Sequence, residues 1–186
     1  METRPKGADP TPGRIDPAAP GGATRRGEGR LTEFRIRPFR NGDEDDVVAL
    51  WKVCNLVRPW NNPRRDIDSA RTGPSSEIFV AVTGDGEERI VGSVMAGYDG
   101  HRGWVYYVAA HPEHRSRGLG GQLMRHAEAW LEGLGAPKVM LMIREENEGV
   151  RRFYEGLGYE VERRTVMSRR TVMGRWTAGA PSGGSK

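Results

Sequence analysis

The chain has a single cysteine, Cys54, in 186 residues, so no intrachain disulfide can form. It has four histidines, His101, His111, His114 and His126. None falls in an H-E-x-x-H pattern and no cysteine cluster supports them, so no metal site is expected. No apolar run approaches the roughly 18 residues needed to cross a bilayer, and mean hydropathy is −0.67. The stretch 1–30 lacks the apolar core of a secretory signal. A cytoplasmic protein without membrane partners is the expectation. There is no Gly-Lys-Ser/Thr, which excludes a P-loop.

What is abundant is positive charge, with a pI near 9.5. Its distribution argues against a nucleic-acid partner. Residues 1–30 carry +2 and residues 163–186 carry +6, which leaves 31–162 at −4. A nucleic-acid module holds its charge on the folded face, and here the basicity sits at the ends. Five prolines and six glycines in residues 1–30, with few large apolar residues, predict a disordered N-terminal tail. The domain is expected over 31–168, and a basic, flexible tail over 169–186.

Within that domain "FRIRPF" (34–39) alternates like a strand with one buried face. Val47, Leu50, Trp51 and Cys54 then share one helical face, which makes Cys54 a packing residue. A Pro-interrupted loop, "RPWNNP" (58–63), leads into a short helix stopped by Gly73-Pro74. Three strands follow at about 77–83, 89–98 and 103–110, joined by short glycine turns and therefore antiparallel. Leu119, Leu123, Ala127, Trp130, Leu131 and Leu134 mark a helix closed by Gly135-Ala136-Pro137. "KVMLMI" (138–143) reads as a strand buried on both faces. A helix at about 148–157 and a last strand at about 160–167 complete the body. The fold class is α/β (α+β mixed), with one mostly antiparallel sheet of about six strands and about four helices. "RRTVM" occurs at 163–167 and again at 169–173; the first copy finishes the last strand and the second has no assigned role.

Between the third middle strand and the following helix lies "HPEHRSRGLGG" (111–121). The first turn of a helix has N–H groups without helical partners and carries partial positive charge. Glycine lets the backbone approach a ligand closely, and Arg115 and Arg117 add full charge. Such a loop suits a phosphate or pyrophosphate, and it equally suits a plain tight turn with solvated arginines. The spacing of Gly118, Gly120 and Gly121 breaks the dinucleotide fingerprint.

Arg115-Ser116-Arg117-Gly118-Leu119-Gly120 resembles the R/Q-x-x-G-x-G/A motif of the GNAT superfamily of N-acetyltransferases. A second block, Asn147, Val150, Phe153, Tyr154, Gly158 and Tyr159, matches that superfamily's downstream pattern. The likeness spans about 34–167. "CNLVRPWNNP" and "GYDGHRG" further resemble the small bacterial YpeA-like acetyltransferases. One departure is Ser116, where many relatives have glycine.

The resemblance implies an acetyl-CoA site and a sheet splayed between the strands at 103–110 and 138–143. Backbone amides from Ser116 through Arg117, Gly118, Leu119 and Gly120 to Gly121, with Arg115, would hold the pyrophosphate. Val108, Ala109 and Ala110 would pair with the pantetheine arm, and an amide freed by the splay would polarise the thioester carbonyl. Asn147 would contact the pantetheine or acetyl end, or cap its helix, or both. Tyr154 would protonate the departing thiolate.

The base stays open. Presenting a lysine amine neutral at pH 7 costs about 4.6 kcal/mol, and an α-amine far less. Related ribosomal-protein acetyltransferases place a glutamate five residues before the asparagine, where this chain has Met142. Glu145, Asp99 and His101 are the remaining candidates. Trp60, Asn61, Asp99 and His101, with Arg58 and Arg102, are candidates for the acceptor site. The acceptor is expected to be an amine, the assembly a monomer or homodimer, and the alternative a non-catalytic acyl-CoA binder.

Overall fold

A computed structural model describes residues 34–84 and 87–169. The expected tails, 1–30 and all but Arg169 of 169–186, lie outside the described residues, as does most of the second RRTVM copy. Strand β1 (Arg35–Pro38) leads through a short 3-10 turn to α1 (Glu44–Val53) and α2 (Pro63–Thr72). Strands β2 (Ser76–Thr83), β3 (Arg89–Tyr98) and β4 (Gly103–Ala110) follow. Then come α3 (Leu119–Gly133), β5 (Val139–Met140) and α4 (Glu148–Glu155). The sheet runs in chain order, β1 to β5. The first four strands are antiparallel and β5 is parallel to β4.

Both faces of the sheet are covered, and β2 shows how. Ile78, Val80 and Val82 pack with Val47, Leu50, Trp51 and Ile67 of α1 and α2. Their neighbours Phe79 and Ala81 pack with Leu119, Leu123, Met124 and Leu131 of α3 and with Tyr154 of α4. Period-two alternation with two covered faces is why "IFVAV" is apolar throughout.

The helices start where local chemistry dictates. Glu44, Asp45 and Asp46 occupy the first turn of α1, against its positive end. Asn62 caps α2, accepting from the N–H groups of Arg64 at 3.1 Å and Arg65 at 3.3 Å, with Pro63 at the first helical position. Between β1 and α1, the buried Arg37 grips the buried Asp43 with two hydrogen bonds, 2.7 and 2.9 Å.

Two expectations need correction. The sheet has five strands among the described residues, one fewer than expected, because 160–167 joins no ladder. Val161, Val166 and Met167 in that segment are exposed, and its glutamate Glu162 pairs with Lys138 and Arg164. Likewise the strand expected over 138–143 is only two residues long, half-buried, with Met142 exposed. A two-residue outer strand offers too little edge to template another strand beside it. The cause lies in β4, which turns away from β5 after Trp104.

Candidate active site

The departure of β4 is a bulge. Ser93 faces Ala109 and Met95 faces Tyr106, so β4 carries one residue more than β3 across the same span. Tyr107 takes up the excess with φ of +50°, a conformation that ordinary side chains rarely adopt. β5 pairs only with Gly103 and Trp104. From Tyr106 through Val108, Ala109 and Ala110, the β5-facing edge of β4 therefore has no ladder partner among the described residues. This is the splay expected from the sequence.

Several contacts hold Tyr107 in this conformation. Its ring stacks on Trp51. Its carbonyl accepts from the Ser93 hydroxyl at 3.2 Å, and that hydroxyl accepts from Trp51 Nε1 at 2.8 Å. The Tyr107 hydroxyl donates to Asp66 Oδ2 at 2.6 Å and accepts from Asn61 Nδ2 at 3.4 Å. Burial and then the Asp66 carboxylate push the Tyr107 phenol up to about 12, so it remains a neutral donor.

The free edge leads into the glycine–arginine loop. After a short 3-10 turn (Pro112–His114), Ser116 sits at φ +61° and Gly118 at φ +77°. Left-handed residues in such a loop turn successive N–H groups toward one side, the geometry of an anion-binding nest. α3 begins without a side-chain cap, and its first helical acceptor is Gly118 O, bonded by Gln122 N at 3.0 Å. The N–H groups of Leu119, Gly120 and Gly121 thus have no helical acceptor. Gly120 has a packing reason as well: a Cβ there would lie 3.0 Å from Phe153 Cζ of α4. Arg115 lies beside Cys54, whose thiol donates to Ala110 O at 3.3 Å. Burial pushes that thiol up, toward the protonated state of a packing residue.

Across the splay stands α4. Asn147 caps it, accepting from Val150 N at 3.3 Å, so the capping role expected from the sequence is present. Tyr154 is buried between Phe153 and Tyr159, with ring centroids at 5.0 and 5.6 Å. Burial pushes its phenol up to about 12. Its hydroxyl has no hydrogen-bond partner among the described residues, whereas the Tyr159 hydroxyl is committed to Glu128 at 2.7 Å.

The remaining sequence candidates divide by position. Trp60 lies under the Arg144 guanidinium, 5.9 Å from the ring centroid, which joins the α1–α2 loop to the loop before α4. Asn61 reaches Tyr107, as described. Glu145 is exposed in the turn before Asn147 and bonds to none of the described residues. Arg58 folds back on Asn55 and Val57. Asp99 and His101 lie in the β3–β4 turn, at the opposite end of β4 from the loop 115–121. The Asp99 carboxylate accepts from Arg102 N, Trp104 Nε1 and His101 N. The Arg102 and Trp104 contacts, with that of His101, lower it to about 2. It shapes its own turn.

Sequence reasoning missed a cavity of about 410 Å³ between α2 and β3–β4, lined by Asn61, Asp66, Ser69, Met95, Tyr106 and Tyr107, among others. The signal for it was faint: two adjacent tyrosines in a strand, which a regular pleat would send to opposite faces.

Comparison with known proteins agrees with this geometry. Residues 43–159 match the model of the acetyltransferase (GNAT) family. An acetyltransferase of Yersinia pestis (strain Pestoides F) is 41% identical over 140 residues, 75% of this chain and 97% of the relative. One from Pectobacterium atrosepticum is 42% identical over 142 residues, 76% of this chain and 99% of the relative. Among solved structures, an aminoglycoside N-acetyltransferase in complex with CoA shares the fold. Its TM-score is 0.61 at 19% identity, covering 79% of this chain and 98% of that one. The family model alone matches well over half of the chain, and with full-length relatives above 40% identity it makes this protein a member of the GNAT family and an enzyme of the N-acetyltransferase class.

Proposed function

We propose that the enzyme moves the acetyl group of acetyl-CoA to a primary amine by direct attack in a ternary complex. The observation that carries this reading is the unpaired β4 edge, Tyr106 to Ala110, running into a loop whose left-handed Ser116 and Gly118 precede an uncapped helix. An extended arm with amide groups needs a strand edge, and a pyrophosphate needs an N–H nest. One continuous surface offers both. Acetyl-CoA supplies an activated thioester.

Val108, Ala109 and Ala110 pair with the pantetheine arm. Arg115, with the amides of Ser116 to Gly121, holds the pyrophosphate. A β4 N–H freed by the splay polarises the thioester carbonyl. Asn147 keeps its helix cap and borders the acyl end. The amine loses a proton to solvent, its nitrogen bonds to the carbonyl carbon, and the carbon–sulfur bond breaks. Tyr154, neutral and without a hydrogen-bond partner among the described residues, gives its proton to the sulfur. Glu145 faces solvent beside Asn147 and can relay the amine's proton through water. The body is proposed as one domain over 31–168.

The test is acetyl-CoA with a panel of small amines, amino acids and peptide N-termini, followed by thiol release and mass spectrometry of the amine. Amine-dependent thiol release with an acetylated amine is expected. Thermal stabilisation by acetyl-CoA without an acetylated amine from any class would contradict the reading.

A further inference from the structure

The cavity beside α2 contains a carboxylate, Asp66, that no cation among the described residues neutralises. Of its lining residues among those described, Asp66 alone is charged. Asp66 forms no ion pair among the described residues, and its one side-chain contact is the Tyr107 hydroxyl. A half-buried carboxylate with no cation partner among the described residues, in a cavity lined by Met95, Ala96, Tyr106 and Tyr107, is complementary to a compact cation with an apolar body.

The position of that charge restricts what it can bind. The Tyr107 backbone lies on the β4 edge that the proposed function assigns to the thioester, and the whole length of the Tyr107 side chain separates this edge from Asp66. The reacting nitrogen must come within about 3–3.5 Å of the thioester carbon. A carboxylate at the far end of a phenol ring is out of reach of that nitrogen. Pairing a carboxylate with the reacting ammonium would also hold its proton on and oppose attack. Asp66 is therefore placed for a different positive group of the same molecule. Tyr107 and Asn61 orient it: the phenol donates to the carboxylate, and the Asn61 amide donates to the phenol. The bulge aims Tyr107 across the cavity at Asp66.

We infer that this cavity is the acceptor pocket and that Asp66 anchors a second positive charge on the acceptor, so that the enzyme acetylates compact diamines. This rests on the acetyl-transfer reading above.

Putrescine and n-butylamine have the same carbon chain and differ in one amine. Thiol-release kinetics on the wild type should give putrescine a kcat/KM advantage of about tenfold or more, the size of one charge-assisted contact. Asp66→Asn should abolish the advantage by raising KM for putrescine. Stabilisation by acetyl-CoA should persist, which shows that the variant is folded, and the loss in kcat/KM should be much larger for putrescine than for n-butylamine. Tyr107→Phe, which frees the carboxylate without removing it, should reduce the advantage and keep part of it. Equal kcat/KM for the two amines, or an advantage that survives Asp66→Asn, overturns the role of Asp66 and leaves acetyl transfer standing. A wild type that acetylates only amino acids or peptide N-termini also overturns it. Failure of every amine class overturns both inferences together.

Discussion

The indole of Trp51 and the phenol of Tyr107 lie face to face, with ring centroids 3.8 Å apart and planes 14° apart. Trp51 is fully buried in α1, and Tyr107 is the one residue of β4 in a left-handed conformation. The stack and the Trp51–Ser93–Tyr107 hydrogen-bond chain hold the bulge that separates β4 from β5. Trp51→Phe keeps an aromatic face and deletes the Nε1 donor. It should cost about 1–3 kcal/mol in urea unfolding, the price of leaving a buried hydroxyl short of a partner. It should also lower kcat, because the strand edge loses its fixed position. Wild-type stability and turnover would show that the chain of hydrogen bonds does not hold the bulge.

Gly118 and Gly120 serve the loop for different reasons, and substitution separates them. A Cβ at Gly118 meets nothing within 4 Å, so Gly118→Ala pays only for its φ of +77°, about 1–2 kcal/mol. Gly120→Ala meets Phe153 instead, and Phe153→Leu should restore stability to the Gly120 variant and not to the Gly118 variant. Urea unfolding of the two single and two double variants checks this. Rescue of both, or of neither, would contradict the assignment.

Much of this was legible in the sequence because it depends on local pattern. β2, β3, β4 and α4 fall within a residue or two of the expected bounds, and α1, α2 and α3 lie where their apolar faces and stop signals place them, since periodicity, glycine turns and capping residues agree. The loop 115–121 stood out by composition alone. The bulge at Tyr107 was not legible, because an extra residue in a strand depends on the partner strand's register. Asp66 was hidden for a similar reason: only folding brings α2 across β4. The expected strand at 160–167 failed because its alternation of apolar residues finds no neighbouring edge to pair with.

The Arg37–Asp43 pair predicts acid sensitivity. Burial raises the Asp43 carboxyl, but the Arg37 hydrogen bonds and the Arg40 N–H outweigh it and hold Asp43 below the ordinary carboxylate range. A carboxyl depressed in the folded state stabilises above its unfolded value, about 3.9, and loses that contribution as pH falls toward the folded value. Asp43→Asn removes one of the two carboxylates that hold Arg37, leaving Glu88 on its Nε at 2.8 Å, and should cost about 1–3 kcal/mol at neutral pH. The gap to wild type should shrink below about pH 4. Thermal melts across that range check it, and a gap independent of pH would contradict it.

Tyr154 sets the alkaline side of the rate profile. A phenol pushed up to about 12 is still protonated where ordinary amines have become neutral. The kcat/KM profile should therefore rise with pH as the amine deprotonates and should show no descending limb below about pH 10. A fall centred between about pH 8 and 9 would assign the proton to another group.

The proton that reaches the sulfur is the centre of the mechanism, and Tyr154→Phe addresses it with the loss of one oxygen. The measurement is the single-turnover rate of acetyl transfer from pre-bound acetyl-CoA, which excludes product release from the observed rate. The account predicts a fall of about 10²–10⁴-fold, with acetyl-CoA affinity unchanged, because the hydroxyl acts on charge that develops only as the thioester breaks. A variant that transfers acetyl as fast as the wild type would contradict the account and leave Tyr154 a core residue of α4.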